Sequence, residues 1–156
     1  SVELIELKKV DIITIDMGCK INGYCSDMTR TIFVGEVPKN MKDVYDLVLK
    51  NQEQVLDDMH DGASTKQISK MVDNDFRLHN YDLIHALGHG VGLDIHEGPV
   101  LSINSENTLK ENMIVTDEPG IYIPGQFGIR IEDTVLINKG TCEPLTKSNK
   151  KYVIVR

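Results

Sequence analysis

The Asn22-Gly23 pair, set between two β-branched runs, constrains this chain more than any other feature. The runs "VDIITIDMG" (10–18) and "GYCSDMTRTIFVG" (23–35) read as strands, and Asn-Gly between such runs is a strong hairpin signal. With residues 22 and 23 at the centre of the turn, Tyr24 pairs with Ile21 and Asp16 faces Thr29. Asp27 then lies two residues from Thr29 on the same face. A register centred on 21–22 would instead set Asp16 directly opposite Asp27. Either pairing puts two carboxylates on one side of the hairpin, roughly 5–8 Å apart. Like charges that close repel unless they share a proton or a cation. On the hairpin alone, two solvated aspartates and a cation site are both open.

After Gly35 and Pro38, the apolar positions Val44, Leu47, Val48, Val55 and Met59 predict a helix from about Met41 to His60. Ser64 and Gln67 have capping-box spacing ahead of a second helix with Ile68, Met71, Val72 and Phe76 on one face. The segment "HALGHGVGLDIHEGP" (85–99) has too many glycines for a helix and reads as a loop. Three strand-like pieces follow, at 112–124, 127–138 and 151–156. Two strands, two helices, a glycine-rich segment and more strands predict an α+β fold. Its helices would pack on one face of a curved, largely antiparallel sheet.

The 156 residues suffice for one domain. A formal charge of −7 argues against a nucleic-acid or anionic-membrane partner, either of which needs a basic patch. No apolar run is long enough for a membrane span. The odd set Cys19, Cys25 and Cys142, with no CxxC spacing, favours free thiols and a cytoplasmic setting. Cys19 and Cys25 flank the turn and could face each other across it.

A second acidic pair stands in "IVTDEPGIY" and "IRIEDTV", as Glu118 and Glu132. Alternation through "FGIRIEDTVLI" places Ile129, Ile131 and Asp133 on one face and Arg130, Glu132 and Thr134 on the other. Asp117 and Asp133, beside the glutamates, would face water or support the glutamates from behind. His85, His89 and His96 fall in the glycine-rich segment, which lets backbone approach a ligand. His60 and His79 lie at predicted helix ends, where a surface histidine is stabilised by the helix dipole. Four carboxylates and one or two imidazoles make a ligand set for two divalent cations, suited to Mn²⁺ or Co²⁺ with room for Zn²⁺ or Fe²⁺. Paired cations activate a shared hydroxide and stabilise an oxyanion, which is hydrolase chemistry.

The segments "IDMGCKINGYCSDMTRT", "HALGHGVGLDIHEGP", "TDEPGIYIP" and "GIRIEDTVLI" resemble the pita-bread metallopeptidases, the family of methionine aminopeptidase, aminopeptidase P and prolidase. "GYCSDMTRT" with "GIRIEDTVLI" is more similar to the Xaa-Pro branch. The resemblance implies the pita-bread fold and metal ligands at Asp16, Asp27, His89, Glu118 and Glu132, with Asp27 and Glu132 bridging. It implies Glu118 as general base, His85 and His96 as substrate-binding and intermediate-stabilising residues, and Arg130 as the group that orients Asp16. Two metal ions, Mn²⁺ first, and a proline-containing dipeptide or short peptide follow as cofactors and substrate. Residues 1–156 would then be the C-terminal part of the catalytic domain, incomplete at its N-terminus. The missing upstream domain usually forms a homodimer. Methionine aminopeptidase, a creatinase-like hydrolase without metal, and a non-catalytic module of the same fold are the alternative readings.

Overall fold

A computed structural model describes residues 6–156. The chain opens with β1 (Asp11–Met17), β2 (Lys20–Ile21), β3 (Tyr24–Cys25) and β4 (Met28–Val34), which fold as one long antiparallel hairpin. Ile21 pairs with Tyr24 and Asp16 with Thr29, the register set by a turn centred on residues 22 and 23. Asn22 and Gly23 adopt φ of 52° and 89°, the positive values a two-residue hairpin turn needs. Cys19 lies beside Ser26 while Cys25 pairs with Lys20, so the two thiols do not face each other. All three cysteines are free.

Helix α1 (Lys39–Asp58) starts two residues earlier than its apolar spacing suggests, and α2 (Thr65–Leu78) starts where its cap predicts. The Ser64 side chain accepts the main-chain N–H of Gln67, satisfying a donor the first helical turn leaves free. Helix α1 buries Val44, Leu47, Val48 and Val55, and α2 buries Ile68, Val72 and Phe76. Each such side chain gains about 1.5–3 kcal/mol on leaving water. Helix α1 packs against later strands of the chain, and α2 against α1.

The glycine-rich segment is not a loop. It forms β5 (Gly88–Gly90) and β6 (Glu97–Leu101). A Cβ at position 88 would lie 2.1 Å from the Thr116 carbonyl oxygen, and one at position 90 would lie 2.2 Å from that of Gly98. Glycine is there for close backbone approach, which favours a strand when neighbours press in on both sides.

The two long strand-like pieces that follow are each broken in the middle. The first gives β7 (Ile114–Asp117) and β8 (Gly120–Ile123), and the second gives β9 (Phe127–Arg130) and β10 (Asp133–Ile137). Glu118 falls in the first break and Glu132 in the second, so the alternation expected from 129 to 134 does not run through. Two short strands, β11 (Cys142–Pro144) and β12 (Val153–Val155), complete the fold. The sheets have orders β11-β10-β7-β5-β6 and β1-β4-β12, with β8-β9 as a separate ribbon. Every pairing is antiparallel except that of β12 with β4. Phe33, Tyr45 and Tyr152 meet with ring centroids 5.6 Å apart and join β4, α1 and the C-terminal segment.

Asp117 and Asp133 do not face water. They oppose each other across β7 and β10, and both are fully buried. Burial works to raise the Asp133 carboxyl, but Thr146 (2.6 Å), Arg30 (2.7 Å) and Lys150 (3.0 Å) donate to it and hold it below the usual range; Gln52 also donates to it, at 3.0 Å. Asp117 has no hydrogen-bond partner on either oxygen, since the Gln52 amide goes to Asp133. Burial pushes its carboxyl well above the ordinary range. No helix among the described residues is long and apolar enough to cross a membrane.

Candidate metal centre

The strand breaks put acids where regular pairing stops and side chains converge. Glu118 is anchored by its main-chain N–H to the Leu87 carbonyl (2.9 Å), and Glu132 by its own to the Thr29 carbonyl (3.0 Å). Asp27 sits just before β4, fixed to Thr134 by two bonds: its N–H donates to the hydroxyl, which in turn donates to its carbonyl. His89 projects from β5.

Asp27, His89 and Glu132 each present one donor atom, and these three atoms all lie within 4.8 Å of one another. His89 Nε2 is 3.6 Å from Asp27 Oδ2 and 3.3 Å from Glu118 Oε1. The partner of His89 Nδ1, at 3.0 Å, is the Gly90 carbonyl, which can only accept. Nδ1 therefore carries the proton in the neutral ring, and Nε2 turns a lone pair toward the acids, as a metal ligand must.

Asp16 is at the rim, half-exposed, and paired with Arg130 Nη2. Arg130 also donates through Nη1 to the Tyr122 hydroxyl (2.8 Å) and through Nε to Thr29 Oγ1 (3.1 Å). Thr29 in turn donates to Glu132 Oε2. The expected contact between Arg130 and Asp16 is present.

His85 Nδ1 bonds the Ala86 carbonyl at 2.7 Å, which leaves its buried Nε2 without a protein partner. Its ring meets Tyr122 edge-on at 5.5 Å. His96, exposed, meets the His89 ring edge-on, with centroids 4.4 Å apart. His85, His89, His96, Val100, Glu118 and Arg130 line a cleft of about 630 Å³. His60 and His79 lie away from it, their rings bonded to main-chain carbonyls near the helix ends.

The electrostatics call for positive charge. Burial is the largest influence raising the carboxyls of Asp27, Glu118 and Glu132. Charge from Glu118, Asp27 and Asp16 adds to it at Glu132, which is pushed up to about 8. Arg130 supplies one positive charge, already shared among Asp16, Tyr122 and Thr29. Oxygen-rich acids with one unprotonated imidazole nitrogen suit a borderline divalent cation, and the donor set fits such an ion.

Four further residues surround these acids, Thr29, Arg30, Thr116 and Tyr122, and the sequence alone assigns none of them a role. Thr29 faces Asp16 in the hairpin register, which is the one signal that singles it out.

Fold and site together define a pita-bread protein built around clustered acids and a histidine. Residues 3–139 match metallopeptidase family M24, and the chain belongs to that family. It is 41% identical over 149 residues to an Xaa-Pro dipeptidase of Pyrococcus furiosus, covering 94% of this chain and 43% of that one. An X-Pro aminopeptidase from Thermotoga maritima superposes with TM-score 0.91 at 38% identity, over 96% of this chain and 43% of the other. A prolidase from Pyrococcus horikoshii gives 0.92 at 38%, over 96% and 44%. The chain thus spans less than half the length of these relatives.

Proposed function

We propose that the chain carries the metal-binding part of an exopeptidase that cleaves the bond before proline, in Xaa-Pro dipeptides or at the N-terminus of peptides. The observation that carries this reading is the convergence of Asp27, His89 and Glu132 within 4.8 Å, with Glu118 3.3 Å from His89. The names of the similar proteins, an Xaa-Pro dipeptidase, an X-Pro aminopeptidase and a prolidase, support the substrate class. Residues 1–156 are read as the C-terminal part of the catalytic domain.

In this reading Asp16, Asp27, His89, Glu118 and Glu132 would together hold the cations. Two divalent ions, Mn²⁺ first with Co²⁺, Zn²⁺ or Fe²⁺ as alternatives, would supply Lewis acidity toward the scissile carbonyl and lower the pKa of the attacking water. Glu118 has one oxygen engaged by Thr116 (3.1 Å) and a second to take the water proton and deliver it to the leaving proline nitrogen. His85 and His96, on the cleft wall and at its rim, hold the peptide and the oxyanion it becomes. Arg130 holds the Asp16 carboxylate at the rim and offsets part of the acids' repulsion. Proline's tertiary amide lacks an N–H, so a site that offers no acceptor there and a surface for the ring selects it.

The test is an assay of the full-length protein with Mn²⁺, Co²⁺ or Zn²⁺ against Xaa-Pro dipeptides, longer Xaa-Pro peptides and Met-initiated peptides. Metal-stimulated Xaa-Pro hydrolysis, lost in Asp27→Ala and Glu132→Ala, is expected. Cleavage of Met-Ala peptides alone would assign a methionine aminopeptidase, and undiminished activity in both variants would sink the metal assignment.

A further inference from the structure

We propose that Thr29 and Thr116 are positioning residues of the metal centre, each orienting the carboxyl of one glutamate for a cation. The inference rests on the metal reading above and concerns how the ligands are held. A threonine hydroxyl has one proton to give and lone pairs to receive. Arg130 Nε–H, 3.1 Å from Thr29 Oγ1, can only donate, so Thr29 must accept it and turn its own proton to Glu132 Oε2. The main-chain N–H of His89 donates to Thr116 Oγ1 at 2.9 Å, so Thr116 must turn its proton to Glu118 Oε1 at 3.1 Å. The direction holds with the glutamates ionised, as a cation requires, because an ionised carboxylate has only lone pairs to offer.

Both threonines are fully buried, and their branched Cβ leaves little freedom at χ1. Each also joins two of the candidate ligands. Thr116 ties the backbone of His89 to the carboxylate of Glu118. Thr29 ties Glu132 to Arg130, which holds Asp16. Four of the five acids and imidazoles are therefore coupled in pairs through two hydroxyl groups on different strands, β4 and β7. Such hydroxyls offset the entropy a cation would otherwise spend in ordering flexible glutamates.

The experiment uses the full-length protein stripped of metal by chelation and titrated with Mn²⁺ in a calorimeter, alongside its melting curve. Thr29→Val and Thr116→Val keep shape and branching but lose the proton. Each should weaken Mn²⁺ binding about 10–100-fold. Thr29→Ser and Thr116→Ser keep the proton and should bind as the parent does. Where a valine variant does not fold, the serine variant decides, since parental affinity there supports the hydroxyl's role. A folded valine variant with parental affinity overturns the proposal. So does a serine variant as weak as the valine one, because the methyl group would then be the part that matters. Failure of the parent itself to bind Mn²⁺ overturns the metal reading instead, which separates the two.

Discussion

Arg30 grips Glu132 from behind: its Nη1 donates to the main-chain carbonyls of Glu132 and Thr29, while its Nη2 bonds Asp133 at 2.7 Å and the Ser148 carbonyl at 2.9 Å. One buried guanidinium thus fixes the strand break that carries an acid of the candidate metal centre.

Arg30→Met is expected to destabilise the protein by about 3–5 kcal/mol, because it removes one partner of a buried pair and strands several acceptors. Urea denaturation of the metal-free protein measures this. Arg30→Lys should recover only part of the loss, since an ammonium cannot span four acceptors as a planar fork does. Equal stability of Arg30→Met and the parent would show that the clamp is dispensable.

Glu118→Gln keeps the hydrogen bond from Thr116 but gives up the base. A drop of about 10²–10⁴ in kcat on an Xaa-Pro substrate, with KM little changed, is expected for loss of proton transfer. Steady-state kinetics of the metal-loaded variant supply the readout, and a change confined to KM would remove Glu118 from that role.

Asp117 gives a pH dependence whose sign is fixed by its burial. Its folded carboxyl is raised above the ordinary value of 3.8. Above that pH the unfolded chain ionises first, the folded state binds more protons, and stability falls as pH rises. Asp117→Val should therefore stabilise the metal-free protein at neutral pH, by about 1–3 kcal/mol for removing an unsatisfied buried group. The gain should shrink toward pH 3, where folded and unfolded carboxyls are both protonated. Thermal melts across that range test it, and a gain independent of pH would contradict the sign.

Gly88→Ala places a methyl group 2.1 Å from the Thr116 carbonyl oxygen, a distance that forces β5 and β7 apart. A loss of about 1–3 kcal/mol is expected for overpacking. Weaker Mn²⁺ binding should accompany it, because His89 and Thr116 move with those strands. A melt and a calorimetric titration of the same sample decide the matter.

The hairpin and the α2 cap were legible in the sequence, because an Asn-Gly pair between β-branched runs marks a turn and Ser64 stands three residues before Gln67. The register was one of the two pairings left open, and the structure takes the one centred on residues 22 and 23. The glycine-rich strands were not, since only the neighbours in space show that Gly88 and Gly90 make room for backbone rather than for a turn. The breaks at Glu118 and Glu132 were hidden by apolar periodicity that continues straight across them. Thr29 and Arg30 were hidden for a different reason: their partners Glu132 and Asp133 are each 103 positions away and leave no local mark, while Thr116 is an ordinary strand residue. Whether Asp133 faces water or supports the glutamates stayed open in the sequence because the four donors that satisfy it come from α1, β4 and the segment before β12.

Thr29 and Glu132 are 103 residues apart along the chain, and Asp27 and Thr134 are 107 apart. A cation held by Asp27 and Glu132 together would staple shut a loop of that length. Such an ion binds the folded chain and leaves the unfolded one, so it would stabilise the fold by mass action, in proportion to the logarithm of its free concentration. Any opening along the loop, even far from the cleft, would part the two acids. Cation release and global unfolding should then run as one cooperative transition, with the ion reporting on the folding of the whole chain.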